Sequence, residues 1–370
     1  MKIAYFIGTL KKESGDGVAR VLLTFAREAE KRGIKSVIVT GWAEDPSASP
    51  APVIKVPSMV FPLYREYRLP LPGMGGFEKE LNEFKPDIIH IHSPDAIAFA
   101  ALKYAKKHGI PIFATHHTDF PRYLAYYHVP FLKPLVWFIL RRLYAQMKFV
   151  TTPSFVTTDD LKKHGIENVG TVPWGVDFNR FNPSFRSDIW RKKISGGKDK
   201  QIILCVCRLT WEKDLQILAA TYRLLKKTRD DFEMIVAGDG PARRELESLM
   251  PGAIFLGYIG GRELSETYAS SDIFLFPSTT ETFGNATIEA LASGLVPVVA
   301  DAGGSRSLVQ DGQNGFLTKQ KDAEDSRLKT AMLLDNQETL KRMRNAGLDF
   351  AKNFSWKKVF EKLLRVYKDG

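Results

Sequence analysis

Short apolar runs alternate with segments of helical period along most of the chain. KIAYFIG leads through KKESGDG into VARVLLTFAREAEKRG, and KSVIVTG follows. KPDIIHIH precedes DAIAFAALKYAKKHG, IPIFATHH precedes a longer basic-aromatic segment, and KFVTTPS precedes FVTTDDLKKHG. Near-continuous apolar runs suit strands buried on both faces, and the periodic segments between them suit the helices that cover those faces. The pattern predicts an α/β chain with a mostly parallel, doubly wound sheet.

The alternation breaks at PWGVDFNRFNPSFRSDIWRKKISGGKDK, where Pro173 and Pro183 interrupt regular structure and Gly196 and Gly197 sit in a charged stretch. A second series follows: QIILCVC, EKDLQILAATYRLLKKTRD, DFEMIVAG, PARRELESLM, AIFLGYI, SDIFLFPS and LVPVVA. The expected organisation is therefore an N-terminal Rossmann-like domain over 1–175, a linker over 176–200 and a second Rossmann-like domain over 201–350. The tail from Asp322 reads as helices. Its last segment, SWKKVFEKLLRVYKD, places Val359, Leu363 and Val366 in helical register with Leu364 beside them. Ligands of doubly wound sheets bind at the carboxyl ends of strands, and two such domains leave a cleft between them.

At 370 residues the chain exceeds one ordinary core. Cys205 and Cys207 lie two apart on one expected strand, roughly 6.5–7 Å between Cα atoms, at the edge of disulfide reach. They read as free thiols in a reducing compartment. No apolar run reaches the roughly 18 residues of a membrane span and the N-terminus shows no cleavage site, so a cytoplasmic protein is expected. The formal net charge of +11 suits anionic partners, of which nucleic acid and an anionic membrane surface are two.

Candidate chemistry gathers after the second-half strands. TTETFGNATIEALASG follows SDIFLFPS and holds Glu281 in a loop and Glu289 inside an expected helix beginning near Gly284. A carboxylate accepts two sugar hydroxyls, and the backbone N–H groups of Phe283, Gly284 and Asn285 at a helix start suit an anion. An exposed Glu281 and a helix-paired Glu289 are the alternative. Arg208 and Lys213 in CRLTWEKD follow a strand and match a diphosphate, or are surface charges. In VAGDGPARRELE, Gly238, Asp239 and Gly240 turn the chain toward a helix near Pro241, either a plain tight turn or an anion contact. His116 and His117 end the run IPIFATHH, where alternation sends them to opposite sides and Asp119 can orient an imidazole. His90 and His92 share one strand face without a third ligand to make a metal site. Gly15, Gly17 and Val18 open the first helix.

The segment FLKPLVWFILRRLYAQMKF, 131–149, carries Lys133, Arg141, Arg142 and Lys148 and no acid. MVFPLYREYRLPLPG sets aromatics beside Arg65 and Arg68. These read as interior packing with basic flanks or as contact with an anionic bilayer. No zinc-finger, RRM or helix-turn-helix pattern supports nucleic acid.

Together, ETFGNATIE followed by ALASGLVPVVADAGG, and RLTWEK, AGDGP, GVDFNRF, DGQNGF and ATHHTDFPRYLAYY, resemble the retaining, nucleotide-sugar-dependent GT-B glycosyltransferases of group 1 (family 4), among them lipid-directed mannosyl and glucosyl transferases. The resemblance covers essentially the whole chain. It implies two doubly wound domains facing across a cleft, with the final helix, 351–370, returning to brace the first. It implies that Arg208 and Lys213 bind the donor diphosphate, Glu289 the ribose and Glu281 the transferred sugar, with backbone support from Phe283, Gly284 and Asn285, and that Gly238 is among the donor-binding residues. His117 would approach the sugar 6-hydroxyl or the reaction centre, and Gly17 the diphosphate or sugar. Gly15-Asp16-Gly17-Val18 departs from the usual adjacent Gly-Gly-Val, which puts the geometry of that loop in question.

The implied reaction is transfer of a hexose from a GDP- or UDP-linked donor to a hydroxyl of a lipid or glycan acceptor, with retention. The departing phosphate helps remove the acceptor proton, and Arg208 and Lys213 supply the charge that a metal otherwise would. No cofactor and no metal are expected. Peripheral contact at the cytoplasmic membrane face accompanies a lipid acceptor. A GT-B protein that binds donor without turnover is the alternative, and a basic nucleic-acid-binding protein is a further one.

Overall fold

The computed structural model describes residues 1–11, 17–60, 68–71, 76–117, 129–198 and 200–369. Gly15, Asp16, Arg65 and Asp119, named above, lie outside them. The chain divides into two units, Met1–Pro173 with Trp356–Gly370, and Trp174–Ser355.

The first unit is built on β1 (Lys2–Leu10), β2 (Lys35–Ala43), β3 (Val53–Lys55), β4 (Ser58–Val60), β5 (Arg68–Pro70), β6 (Ile88–Ile91), β7 (Ile112–Thr115), β8 (Phe149–Thr152) and β9 (Val169–Thr171). Seven of these form one sheet in the order β3-β2-β1-β6-β7-β8-β9, with every pair parallel. β4 and β5 make a separate antiparallel pair. After Lys2 every residue of β1 is buried, as a parallel strand covered on both faces requires. The helices α1 (Gly17–Glu30), α2 (Glu78–Phe84), α3 (Ala96–His108), α4 (Lys133–Tyr144) and α5 (Phe155–Lys163) supply the covers. Local chemistry sets their ends. The Asp95 carboxylate accepts from the Ile97 N–H at 2.9 Å to start α3, and Gly109 at φ 66 stops it.

The C-terminal helix, Trp356–Asp369, belongs to this unit. It buries Val359, Phe360, Leu363 and Tyr367. Arg32, in the turn after α1, stands 5.2 Å over the Phe360 ring and 3.6 Å from Glu361. Tyr367 reaches the sheet, hydrogen-bonds His90 and meets Phe113 edge-on. The buried stripe is thus centred one residue away from the Leu364–Val366 side, because two aromatics, Phe360 and Tyr367, have more surface to bury.

The second unit holds β10 (Gln201–Val206), β11 (Phe232–Ala237), β12 (Ile254–Gly257), β13 (Ile273–Phe276), β14 (Val296–Ala300) and β15 (Phe316–Thr318), all parallel, in the order β12-β11-β10-β13-β14-β15. Its helices are α6 (Asp188–Ser195), α7 (Leu215–Lys226), α8 (Arg243–Leu249), α9 (Gly261–Ala269), α10 (Asn285–Ser293), α11 (Ala323–Asp335) and α12 (Gln337–Ala351). The stretch 176–200 lies within this unit. Pro183 opens a 3-10 turn there, Ser187 caps α6 and Gly196 at φ 63 ends it. Val176 and Ser355, near the two points where the chain passes between units, bridge each other.

One carboxylate ties these outer pieces to the sheet. Asp272, buried just before β13, accepts from Arg191 of α6 at 2.8 Å, from Arg344 of α12 at 3.1 Å and from the Ile202 N–H at 3.0 Å, with Arg186 at 3.8 Å. Asp272→Ala leaves these guanidinium groups without their carboxylate. It is expected to cost about 3 kcal/mol, read as a lower denaturation midpoint for the second unit; an unchanged midpoint would refute the anchor.

Candidate functional site

In the second unit the strand order reverses between β10 and β13, since β11 and β12 lie on one side of β10, and β13, β14 and β15 on the other. Such a reversal of strand order is where doubly wound sheets bind their ligands, outside the carboxyl ends of the two strands. The predicted polar residues sit on the loops after these strands. Lys213 closes a 3-10 turn after β10, and its ammonium lies 2.5 Å from Glu281 Oε1 in the loop after β13. Both are largely buried, at 13% and 20% side-chain exposure. Arg208 is more open and donates to Glu212 at 3.0 Å. The carboxylate of Asp214 accepts from the Thr279 N–H at 2.9 Å and the Thr279 hydroxyl at 2.7 Å, and the Thr280 hydroxyl donates to the Glu212 carbonyl at 3.0 Å. The two loops are thereby zipped side by side. Asp214 takes the left-handed conformation, φ 54, unusual for a residue other than glycine and held here by its buried bonds.

The carboxylates differ in setting. Glu281 pairs with a cation, whereas Glu289, on α10 and buried, accepts from the Tyr268 hydroxyl at 3.2 Å. Phe283 buries its ring against Trp174, centroids 5.6 Å apart, so it offers the crevice only its backbone. Gly284 turns into α10 at φ 95. Among the described residues, the N–H groups of Phe283, Gly284 and Asn285 have no protein acceptor, which leaves three donors of a helix start for an anion. The loop after β14 presses on this turn. A Cβ on Gly304 would lie 2.3 Å from the Phe283 nitrogen, and the Gly304 N–H donates to the Glu281 carbonyl at 2.6 Å.

Gly238 corrects one expectation. Its N–H is taken by the Gly257 carbonyl at 2.7 Å, and that of Gly240 by Asp239 Oδ1 at 2.8 Å, so neither donor is left for an anion. Both residues are glycine because the loop 207–209 passes against them; a Cβ on Gly238 would lie 1.8 Å from the Cys207 carbonyl oxygen. The helix expected near Pro241 opens at Arg243, because the Ala242 N–H turns back to the Leu209 carbonyl at 2.9 Å.

In the first unit the corresponding reversal lies between β1 and β6. Gly17 begins α1 after β1. His92 follows β6 and His117 follows β7. His116 meets the Tyr144 hydroxyl of α4 at 3.0 Å, while His117 Nε2 lies 2.8 Å from His92 Nδ1. His90, His92 and His117 stack, with ring centroids 4.4 and 5.0 Å apart. Burial pushes the pKa of His90 down to about 3 and that of His116 to about 4, and holds His92 and His117 well below the ordinary value. Four neutral imidazoles result at pH 7. Stacked rings do not converge on one point, and among the described residues no group of three or more His, Cys, Asp or Glu is placed to hold a metal ion. Cys205 and Cys207 are free thiols, and Arg68 stands 5.9 Å from the Trp42 ring centroid.

Two family profiles divide the chain as the units do: Glycosyltransferase Family 4 matches residues 15–180, and Glycosyl transferases group 1 matches residues 186–350. The sulfoquinovosyl transferase SQD2 of Arabidopsis thaliana is 33% identical over 98% of this chain and 72% of its own. This chain belongs to the group 1, family 4 glycosyltransferases. A GDP-mannose-dependent alpha-mannosyltransferase of Corynebacterium glutamicum is 33% identical to this glycosyltransferase over 86% of the chain and 75% of its own. The crystal structure of Anabaena HepE in complex with UDP shares the fold, with a TM-score of 0.80 at 16% identity and full coverage of both chains. The fold is thus GT-B, two Rossmann-like units in one glycosyltransferase chain.

Sequence reasoning missed Asp214, Thr279 and the place of His92. Asp214 carried no reading of its own in the sequence, and only the pairing of β10 with β13 brings Thr279 to it. The buried histidines also give the glycosyltransferase a pH signature. They protonate near pH 6.5 when unfolded but much lower when folded. Their contribution is therefore complete above about pH 6.5 and is lost as pH falls toward about 4 for His116 and about 3 for His90, by about 1.4 kcal/mol per pH unit for each histidine. His116→Asn should flatten the acid limb of denaturation by one such slope; an unaltered limb would count against a neutral, buried His116.

Proposed function

We propose that this chain is a retaining transferase that moves a hexose from a GDP- or UDP-linked donor to a hydroxyl of a lipid or glycan acceptor. The observation that carries this reading is the Lys213–Glu281 pair at the strand-order reversal. It sets a cation for a diphosphate beside a carboxylate for sugar hydroxyls, in the crevice where doubly wound sheets bind nucleotides. Arg208 and Lys213 hold the diphosphate. Glu281 accepts from hydroxyls of the sugar, and the N–H groups of Phe283, Gly284 and Asn285 supply neutral donors beside it. Glu289 accepts from the ribose, with Tyr268 fixing its carboxylate. Gly238 shapes the turn that lets the nucleotide approach, Gly17 lies against the diphosphate or sugar, and His117 contacts the sugar.

Chemistry follows from charge. As the glycosidic bond breaks, negative charge grows on the departing phosphate, and Arg208 and Lys213 lower its energy without a metal. The same phosphate takes the acceptor proton on the face it leaves, which retains the anomeric configuration. Glu281, already engaged by Lys213, serves as a hydroxyl acceptor rather than as a nucleophile. The name of the Corynebacterium relative supports a nucleotide-sugar donor and makes mannose one of the first to try, and that of the Arabidopsis relative supports glycosyl transfer.

A lipid acceptor is supported by α4. Leu135 and Phe138 are 53% and 50% exposed, Phe131 just before the helix is 74% exposed, and Arg141 and Arg142 lie on the same basic segment. Exposed apolar side chains beside cations suit the interface of an anionic bilayer. No helix among the described residues is long and apolar enough to cross a membrane.

Calorimetric titration with GDP, UDP and ADP in metal-free buffer tests the donor site. Preference for GDP directs the search to mannosyl transfer and preference for UDP to glucosyl or related transfer, while binding of none removes the reading. Lys213→Ala should lower turnover by about 10²–10³-fold. Binding without turnover of any donor would favour a sugar-nucleotide-binding protein without catalysis, and salt-dependent duplex binding alone a nucleic-acid protein. In sedimentation with vesicles, Phe138→Asp should release the protein from anionic bilayers; equal binding by the variant would remove α4 from the membrane contact.

A further inference from the structure

Asp214 carries two local costs. Its backbone stands at φ 54, in the left-handed region, which a residue with a Cβ adopts only under constraint. It also directly precedes α7, where an aspartate ordinarily spends its carboxylate on the free N–H groups of its own helix. Among the described residues it makes no such capping bond. Both costs trace to one contact. Asp214 is 4% exposed, and its Oδ2 accepts both the N–H and the hydroxyl of Thr279, at 2.9 and 2.7 Å. The backbone of Asp214 is committed as well. Its N–H donates to the Trp211 carbonyl at 3.1 Å, which closes the turn that carries Lys213, and its carbonyl accepts from the Ile217 N–H at 2.9 Å, which starts α7.

The sheet does not align the two loops by itself. The register between β10 and β13 runs over Ile203–Ile273 and Leu204–Phe274, and this ladder ends before either loop begins. Beyond it the loops meet through the Thr280 hydroxyl on the Glu212 carbonyl, through Lys213 on Glu281 and through Asp214 on Thr279. The first of these ends on a hydroxyl that rotates, and the second joins two long side chains, which can meet over a range of loop positions. A short carboxylate that takes a backbone N–H and the hydroxyl of the same residue on one oxygen leaves far less latitude. Resting on the reading of Lys213 and Glu281 as the donor site, we infer that Asp214 is a positioning residue: its carboxylate sets the loop after β13 against the turn after β10, and so fixes where the Lys213 ammonium and the Glu281 carboxylate stand when a donor diphosphate and its sugar arrive. A capped helix and a relaxed φ are given up for that alignment, as strain collects where geometry has to be held.

Two substitutions in the full chain separate the acceptor from the backbone conformation. Asp214→Asn keeps an oxygen able to accept both Thr279 bonds and tolerates φ 54. Asp214→Gly relaxes the backbone and removes the acceptor. Amide hydrogen exchange in peptides covering 277–283 reads the contact without any sugar. Exchange at Thr279 should quicken by about tenfold in Asp214→Gly and stay near wild type in Asp214→Asn; unchanged exchange in Asp214→Gly overturns the inference. In steady-state transfer, Asp214→Gly should lower kcat about tenfold with a smaller change in donor KM, and Asp214→Asn should keep most of the activity. Wild-type kcat in the glycine variant, or equal losses in both variants, overturns the positioning role. Should Asp214→Gly fail to fold, Thr279→Val removes the hydroxyl from the other side of the contact; it should lower kcat in the same direction, and wild-type kcat there overturns the inference. If the wild-type chain binds and turns over no nucleotide sugar while exchange behaves as expected, the proposed function falls and the alignment of the loops by Asp214 stands.

Discussion

The pairing of β10 with β13 is the constraint on which the candidate site depends. Two loops that are far apart in sequence leave the sheet side by side at the point where strand order reverses. Lys213 meets Glu281, Asp214 meets Thr279, and Thr280 meets the Glu212 carbonyl. Both side chains keep some exposure to water, and in this half-buried setting each charge offsets the other's loss of hydration. Their proximity fixes both loops while keeping a cation and a carboxylate in one small volume. Stability and chemistry thus draw on the same contact.

Backbone closeness supplies the second requirement. Glycines 238, 240, 303 and 304 are placed where neighbouring loops leave no room for a Cβ. The glycine-rich turn after β11 uses that closeness to pack one loop on another, and its N–H groups are consumed there. The turn before α10 differs. Gly304 presses against Phe283 without taking its N–H, and the donors at the start of α10 have no protein acceptor among the described residues. Two glycine turns that look alike in sequence therefore do different work.

The first unit relies on burial of polar rings instead of an ion pair. Water is excluded from His90, His92, His116 and His117, which keeps them uncharged and allows three of them to stack. The C-terminal helix closes one end of this column through Tyr367. Its return to the first unit is consequently more than apolar covering. It supplies a hydroxyl to a ring two stacking steps from His117.

Much of this was legible in the chain. Alternating apolar runs and helical periods specify two α/β sheets, because a strand covered on both faces has no polar side to show. Pro183 and Gly196, which read as breakers, begin and end short helical pieces, since the same backbone limits that interrupt a helix also cap one. The motif residues Lys213, Glu281 and Glu289 announced themselves by following strands. Sequence could not assign their partners. Glu281 belongs with Lys213, and Asp214 with Thr279, only because a crossover sets β13 beside β10. Gly238 resembled an anion turn until Gly257 was seen to hold its N–H. Val366 had the right register for burial, yet the larger rings of Phe360 and Tyr367 took the interior. Local spacing determined which elements form and which faces are apolar; the pairing of strands distant in the chain decided which charges meet and which N–H groups find a protein acceptor, because hydrogen bonds and desolvation act through space and not along the sequence.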